Sequence, residues 1–305
     1  MSTEIVGFPT GRSFGETDGV TNQKVIIEVA LNGPRASDPA SLAAEALDCL
    51  AEGASIVHQH DRGTDPDNMA ADGAEMYAAV LAQRPDAILY PTSAHGGDIV
   101  HRWRHHVELH RQGLIRMALA DPGSVNLGRV GARQGEEPSS FVYVNSFADF
   151  AYKLDRCREL RLTPNIAIFE PGWLQTVLAH ERAGRLPEGA FVKLYFSGGR
   201  TGRGGYTFGL SATRRALDAY LEMLDGSSVN WAVAVLGGDC VETGMARWAI
   251  EAGGHVRVGL EDWAGDAPAP TNAALVRAAA SLCAELGVDV ASPDEAATML
   301  RLCPR

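Results

Sequence analysis

The chain is poor in the features that would commit it to a special environment. Its five cysteines, Cys49, Cys157, Cys240, Cys283 and Cys303, are few for 305 residues, odd in number and never arranged as Cys-x-x-Cys. A disulfide framework and a thiolate zinc knot are therefore not expected. No run of about 18 apolar residues occurs, and the opening MSTEIVGFPTGRSF has neither a basic leader nor an apolar core. A cytoplasmic protein without a membrane partner is the expectation. Basic residues are also scarce, 27 against 38 acidic ones, for a formal charge of -11. Nucleic acid is excluded as a partner because no basic footprint is present. Net acidity does not dictate the charge of a pocket, so a small anionic substrate stays open.

What is there is ordinary globular composition, 46% hydrophobic and 21% charged, consistent with one domain over residues 1–305. Short β-branched runs alternate with long segments rich in Ala, Leu, Glu and Arg, the pattern of βα units with parallel strands. The strand candidates are KVIIEVAL (24–31), ASIVHQH (54–60), DAILYPT (86–92), IRMALA (115–120), IAIFE (166–170), FVKLYF (191–196), WAVAVLG (231–237) and HVRVGL (255–260). Helices are expected at 41–50, 70–82, 101–111, 147–162, 173–183, 212–224, 241–252 and 272–286, and an extra strand at 140–146. Eight parallel candidates favour a closed (β/α)8 TIM barrel over an open sheet. Gly53 and Gly253 follow helices where a left-handed cap is wanted, and Ser292 with Glu295 forms a capping box for a last helix. Residues 1–22 read as an N-terminal arm, and 121–139 as a glycine-rich excursion of the kind that builds an active-site rim.

The strongest chemical feature is VHQHDRG, residues 57–63. Residues two apart in a strand point to one side, so His58 and His60 present both imidazoles to one centre. HVRVGLEDW (255–263) ends another strand and offers Glu261 as a hard oxygen ligand. A His2Glu set holds a divalent metal and leaves positions open for substrate; zinc, iron, manganese and nickel all suit it. Asp262 is placed to act as a general base or to orient Arg257.

Other polar residues sit at strand ends. Glu28 and Asn32 bracket the apolar first strand; Glu28 either reaches the barrel mouth or satisfies an arginine or lysine lower in the barrel. Arg35 suits a carboxylate or phosphate, or is a solvated loop residue. After the third strand, PTSAHGGD (91–98) brings Thr92, Ser93 and His95 as donors, with Gly96 and Gly97 allowing close backbone approach. FSGGRTGRGG (196–205) carries Arg200 and Arg203 among glycines, a rim for a phosphorylated cofactor such as coenzyme A or a plain flexible loop. LGGDC (236–240) offers amides to an anion. His101, His105, His106 and His110 read as ordinary helix residues.

With these elements in hand, the sequence resembles the β-keto acid cleavage enzyme family, which includes enzymes that cleave 3-keto-5-aminohexanoate. The resemblance rests on Asn32-Gly33, EGASIVHQHDRG (52–63), DPGSVNLG (121–128), FEPGW (169–173), GGHVRVGLED (253–262) and SPDEA (292–296), in family order. It implies a (β/α)8 barrel assembled as a homo-oligomer, a tetramer among the options. It implies a divalent metal, usually Zn2+, on His58, His60 and Glu261, with Arg257 and Asp262 as the catalytic pair. The implied reaction condenses a β-keto acid with acetyl-CoA to give acetoacetate and a new acyl-CoA. Substrate contacts would come from Glu28, Asn32, Arg35, Thr92, Ser93, Gly96, Gly97 and Trp263, and cofactor contacts from Arg200 and Arg203. The chain departs from the family at three points. The turn after the third strand differs, so the serine role does not transfer. Where aminohexanoate-cleaving members carry an acidic residue near the end of the first strand to hold a substrate ammonium, this chain has Pro34 and Arg35, which favours a different, anionic group. Trp263 replaces a small polar residue. A metal-dependent hydrolase or aldolase-like lyase working without acetyl-CoA is the competing enzyme class, and a non-catalytic metabolite-binding protein the third reading.

Overall fold

Each apolar run becomes a barrel strand in the computed structural model, which describes residues 24–32, 37–128, 141–198, 206–265 and 268–305. In chain order the elements are β1 (Ile27–Ala30), α1 (Pro39–Ala51), β2 (Ile56–Gln59), α2 (Pro66–Gln83), β3 (Ile88–Pro91), α3 (Ile99–Arg111) and β4 (Met117–Leu119). A small hairpin, β5 (Val125–Asn126) and β6 (Val142–Tyr143), precedes α4 (Phe147–Leu160), β7 (Thr163–Ile168) and α5 (Pro171–Arg182). Then follow β8 (Phe191–Ser197), β9 (Leu210–Ser211), α6 (Arg214–Leu224), β10 (Asn230–Leu236), α7 (Met245–Glu251), β11 (His255–Val258), α8 (Asn272–Glu285) and α9 (Pro293–Met299). The barrel order is β3-β2-β1-β11-β10-β8-β7-β4, every neighbour parallel, and β3 packs beside β4 across the remaining seam. This is the nearly closed eight-stranded barrel that the alternation of elements predicts.

Strand parity sorts the side chains. Ile27, Val29, Val57, Leu89, Val192, Val233 and Val256 belong to one buried cluster with the inward faces of the helices. Ile26, Ile56, Ile88, Met117, Phe191 and Ala232 point the other way and pack with Ala296, Ala297 and Leu300, so the α9 segment closes the lower end of the barrel. Each such aliphatic side chain contributes roughly 1.5–3 kcal/mol on burial. α9 starts from the expected capping box: Ser292 accepts from the Glu295 amide, and Glu295 accepts from the Ser292 amide at 2.9 Å. Gly53 ends the α1 turn at φ +110°, where a side chain would be strained.

Several boundaries shift, among them the start of α2, which is Pro66 rather than 70 behind the Asp65 cap. The extra strand at 140–146 shrinks to Val142–Tyr143 and pairs antiparallel with Val125–Asn126, away from the barrel. β7 begins at Thr163 rather than 166, because Pro164 occupies a position paired with Ala118 in a strand that its missing N–H disguises. The seventh helix starts at Met245 rather than 241, after Gly244 at φ +80°. The N-terminal arm, most of the 121–139 excursion, and Arg35, Arg200 and Arg203 lie outside the described residues. Among the described residues, no helix is long and apolar enough to cross a membrane.

Candidate metal centre at the barrel mouth

Above the apolar floor the barrel interior turns polar. Glu28 on β1, His58 on β2, Tyr90 on β3, Asn165 on β7, Lys193 on β8 and Arg257 on β11 share the inward parity, and Glu28 and Arg257 are 0% and 1% exposed. The layer is held by paired charges. Glu28 Oε1 accepts from Tyr90 Oη at 2.7 Å and Arg257 Nη1 at 2.7 Å, with Lys193 Nζ at 3.3 Å; Oε2 accepts from Asn165 Nδ2 at 2.8 Å. Lys193 also donates to Tyr90 Oη at 2.8 Å. Burial alone would raise the Glu28 carboxyl, but Lys193 and Arg257 outweigh it and bring its pKa down to about 2.

His58, His60 and Glu261 meet on top of this layer, with one ligand atom from each lying within 4.8 Å of the others. His60 Nε2 is 3.2 Å from Glu261 Oε1, and His58 Nε2 is 3.4 Å from Glu261 Oε2. The His58 ring stacks on Tyr90 with centroids 4.6 Å apart. Burial holds the His58 imidazole well below its ordinary pKa despite the pull of Glu261, so a neutral ring with a lone pair is present at neutral pH. Burial works against the Glu261 carboxylate, but Arg257 and the two imidazoles outweigh it and keep it ionised. Glu261 Oε2 is buried and has no hydrogen-bond partner. Two imidazoles and an ionised carboxylate that keeps one oxygen without a hydrogen bond fit a divalent cation.

Arg257 joins the two halves of the site. Its Nε donates to Asp262 Oδ2 at 2.7 Å, its Nη2 lies 3.0 Å from Glu261 Oε1, and its Nη1 reaches Glu28. Asp262 is buried, and its Oδ1 has no partner. Burial pushes the Asp262 carboxyl up to about 6, against the opposing effect of Arg257. A carboxylate with one oxygen held and the other available, titrating near neutrality, has the character of a general base.

The other expected site residues fall into three groups. Glu28 and Asn32 are engaged by the protein: Glu28 is the counter-ion of Arg257 and Lys193 lower in the barrel, and Asn32 clasps the His60 backbone, donating to its carbonyl and accepting from its N–H, both at 2.9 Å. Both therefore support the centre from beneath and beside it. Thr92, Ser93, Gly96 and Gly97 follow β3, next to the strand carrying the histidines; the Thr92 amide donates to Gln59 O at 3.1 Å, and Ser93 is buried. Trp263 bridges to Gly238 at the rim. Of the amides in and just after LGGDC, Gly237 N donates to Asp262 O at 2.7 Å, and Asp239 Oδ1 accepts from the Val241 and Glu242 amides at 2.8 and 2.9 Å, so these three are engaged by the protein. His105 and His106 are structural, as expected; His105 Nε2 contacts Thr92 O at 2.7 Å, and His106 Nε2 accepts from the Leu119 amide at 3.3 Å. Sequence reasoning missed Tyr90, Asn165 and Lys193. The available signal was a polar residue at inward parity within DAILYPT and FVKLYF, matching Glu28 and Arg257.

A profile of the β-keto acid cleavage enzyme family matches residues 24–302. The chain belongs to the β-keto acid cleavage enzyme family. Among its relatives in the family are a 3-keto-5-aminohexanoate cleavage enzyme of Fusobacterium nucleatum, 28% identical over 92% of this chain and 98% of the relative, and a 3-oxoadipate:acetyl-CoA acetyltransferase of Cupriavidus necator, 29% identical over 92% and 95%. ObcA, solved with oxaloacetate, shares the fold at a TM-score of 0.63 and 16% identity, covering 88% of this chain and 67% of that one. For this β-keto acid cleavage family member, the candidate metal-binding cluster and its Arg257 neighbour lie where barrel enzymes collect their chemistry, at the C-terminal strand ends.

Proposed function

We propose that the chain is a zinc-dependent β-keto acid cleavage enzyme that condenses a β-keto acid with acetyl-CoA to give acetoacetate and a new acyl-CoA. The observation that carries this reading is the convergence of His58, His60 and Glu261 beside the Arg257–Asp262 pair. A relative named for 3-oxoadipate and acetyl-CoA supports the substrate pair. A divalent ion on the three ligands supplies Lewis-acid polarisation of a keto oxygen. Counting the buried layer, three carboxylates face two fixed cations, so a bound divalent ion turns the centre net positive and ready for a substrate carboxylate.

In the proposed reaction, Asp262 Oδ1 removes a proton from the activated keto acid while Arg257 holds Oδ2. Arg257 also stabilises the oxyanions that follow. The carboxymethyl group exchanges acyl partners: its bond to the original acyl carbon breaks, and a bond to the acetyl carbon forms. Sulfur leaves the acetyl carbon and takes up the displaced acyl group, and Asp262 returns its proton to the carbanion of the departing acetoacetate, so atoms and electrons balance without an oxidant. Thr92, Ser93, Gly96, Gly97 and Trp263 are proposed substrate contacts, Arg35 the partner of a second anion, and Arg200 and Arg203 partners of the coenzyme phosphates. We extend the proposal to a cytoplasmic homo-oligomer. The exposed Phe141, Val142, Val144 and Phe147 along one stretch support an interface.

The test follows acetoacetate and every new CoA thioester by mass spectrometry, with acetyl-CoA, stoichiometric zinc and pooled β-keto acids. A matched pair of products establishes the exchange and gives the substrate's mass. Consumption of a keto acid without acetyl-CoA would replace the proposal with a lyase or hydrolase.

A further inference from the structure

One donor inside the barrel stands apart from the network around Glu28. Tyr195 points inward two residues beyond Lys193 on β8, one layer nearer the mouth, and is buried. Its phenol makes no hydrogen bond to a described residue, whereas the phenol of Tyr90 donates to Glu28 and accepts from Lys193. The Tyr195 ring is nevertheless fixed. Arg257 Cζ lies 5.5 Å from its centroid, and the Phe169 ring lies 4.5 Å away at an interplanar angle of 32°. Phe169 is backed edge-on by Trp173 and Phe208, at 5.5 and 5.2 Å. The residue paired with Tyr195 on β10 is Ala234, whose methyl group offers the hydroxyl no partner. Packing thus sets the direction of the hydroxyl without consuming its hydrogen bond.

The surroundings say what that hydroxyl can do. In the strand order β8 stands four strands from β2 either way around the barrel, so Tyr195 faces His58 and His60 from the opposite wall, and the strand of Arg257 lies on the arc between them. The charges that act on the phenol are those of Arg257, then Asp262 and Glu261, with Glu28 beneath. Burial raises the phenol well above its ordinary pKa against the pull of Arg257, so at neutral pH it is a donor that keeps its proton. A second fixed cation here would compete with Arg257 for the carboxylates of Glu261 and Asp262. A phenol adds a donor and leaves the charge balance alone. Two aligned donors in a dry site stabilise a developing oxyanion more than the neutral carbonyl that precedes it.

We propose that Tyr195 is a further catalytic residue, whose hydroxyl joins Arg257 in donating to the oxygen that becomes negative at the acetyl carbon when the new carbon-carbon bond forms. The inference rests on the acyl-exchange reading above. Tyr195 gives a hydrogen bond and no proton, so the balance of atoms and electrons in the exchange is unchanged.

Tyr195→Phe keeps the ring with its Arg257 and Phe169 contacts and removes the hydroxyl alone. In the zinc-loaded full chain, kcat should fall by about 10²–10³, with KM for both substrates changed by less than about twofold. Zinc content should be unchanged; its loss would assign the phenol to the metal centre and overturn the proposal. Methylphosphonate, a tetrahedral anion with a methyl group on its central atom like the acetyl oxyanion, reads the same contact without turnover. Calorimetry should show its Kd raised by about tenfold or more in the variant. Unchanged kcat overturns the proposal, and so does a higher KM for the β-keto acid at unchanged kcat, because the phenol would then touch substrate in its ground state. Equal methylphosphonate affinity in the two proteins overturns it as well. Methylphosphonate binding that Tyr195→Phe weakens, in a chain with no acetyl-CoA-dependent turnover on any keto acid, would support the donor assignment and reject the exchange reaction.

Discussion

Glu28→Gln probes the electrostatics beneath the metal centre. The side chain keeps its shape and loses its charge, leaving Arg257 and Lys193 facing each other in a fully buried layer. The Glu28 pKa falls from 4.5 to about 2 in the folded chain. At about 1.36 kcal/mol for each tenfold change in proton affinity, this corresponds to about 3 kcal/mol of stability. Removing one partner of a buried pair costs on the order of 3–5 kcal/mol in other proteins, which agrees. With an unfolding entropy of roughly 2.1 cal/mol/K per residue, 3 kcal/mol on 305 residues lowers Tm by about 5 °C. Because the folded pKa is depressed, the contribution is present above pH 4.5 and is lost as pH falls towards 2. Thermal unfolding followed by circular dichroism from pH 7 to pH 3 should therefore show the two proteins converging at the acid end. The double variant Glu28→Gln/Lys193→Met removes one charge of each sign and should regain about half of the lost Tm. An unchanged Tm in Glu28→Gln at pH 7, or no recovery in the double variant, would refute the argument that this pairing holds the barrel's polar layer together.

Further predictions separate ligation, chemistry and backbone geometry. His60→Ala should reduce zinc occupancy measured by atomic emission, whereas Asp262→Asn should keep the metal and lower turnover by about 10²–10⁴; full activity in both would remove these residues from the proposed chemistry. His255 is buried with its Nδ1 accepting from the Ile26 amide at 3.2 Å, and burial lowers its pKa from 6.5 to about 4. Its contribution is complete above pH 6.5 and falls by about 3 kcal/mol as pH drops to 4, so His255→Gln should flatten the stability profile in that window; parallel profiles would contradict this. Gly259 has φ +142°, and a Cβ there would lie 2.0 Å from Ala30 O. Gly259→Ala should displace the segment leading to Glu261, with loss of soluble expression or of zinc binding, and a variant that binds zinc normally would show that the strand ends can separate.

The legible part of this protein was whatever depends on local periodicity. Alternation of apolar runs was sufficient for the eight parallel strands, and the spacing of His58 and His60 for two imidazoles on one face, because strand parity is a property of the chain itself. Glu261 followed from its place at a strand's end, and the Ser292–Glu295 cap from spacing alone. Pairing across the barrel was not legible. Glu28 lies 229 residues from Arg257 and 137 from Asn165, and nothing local distinguishes an inward carboxylate that meets substrate from one that neutralises a guanidinium. Tyr90 and Lys193 are single polar residues within apolar strands, and only closure of the sheet places them around Glu28. Asp239 likewise could have left its loop amides open; the fold turned its carboxylate back onto them. The sequence determined which side chains point inward, since that is set residue by residue, while the tertiary structure decided which of them meet, since that depends on strands brought together from distant parts of the chain.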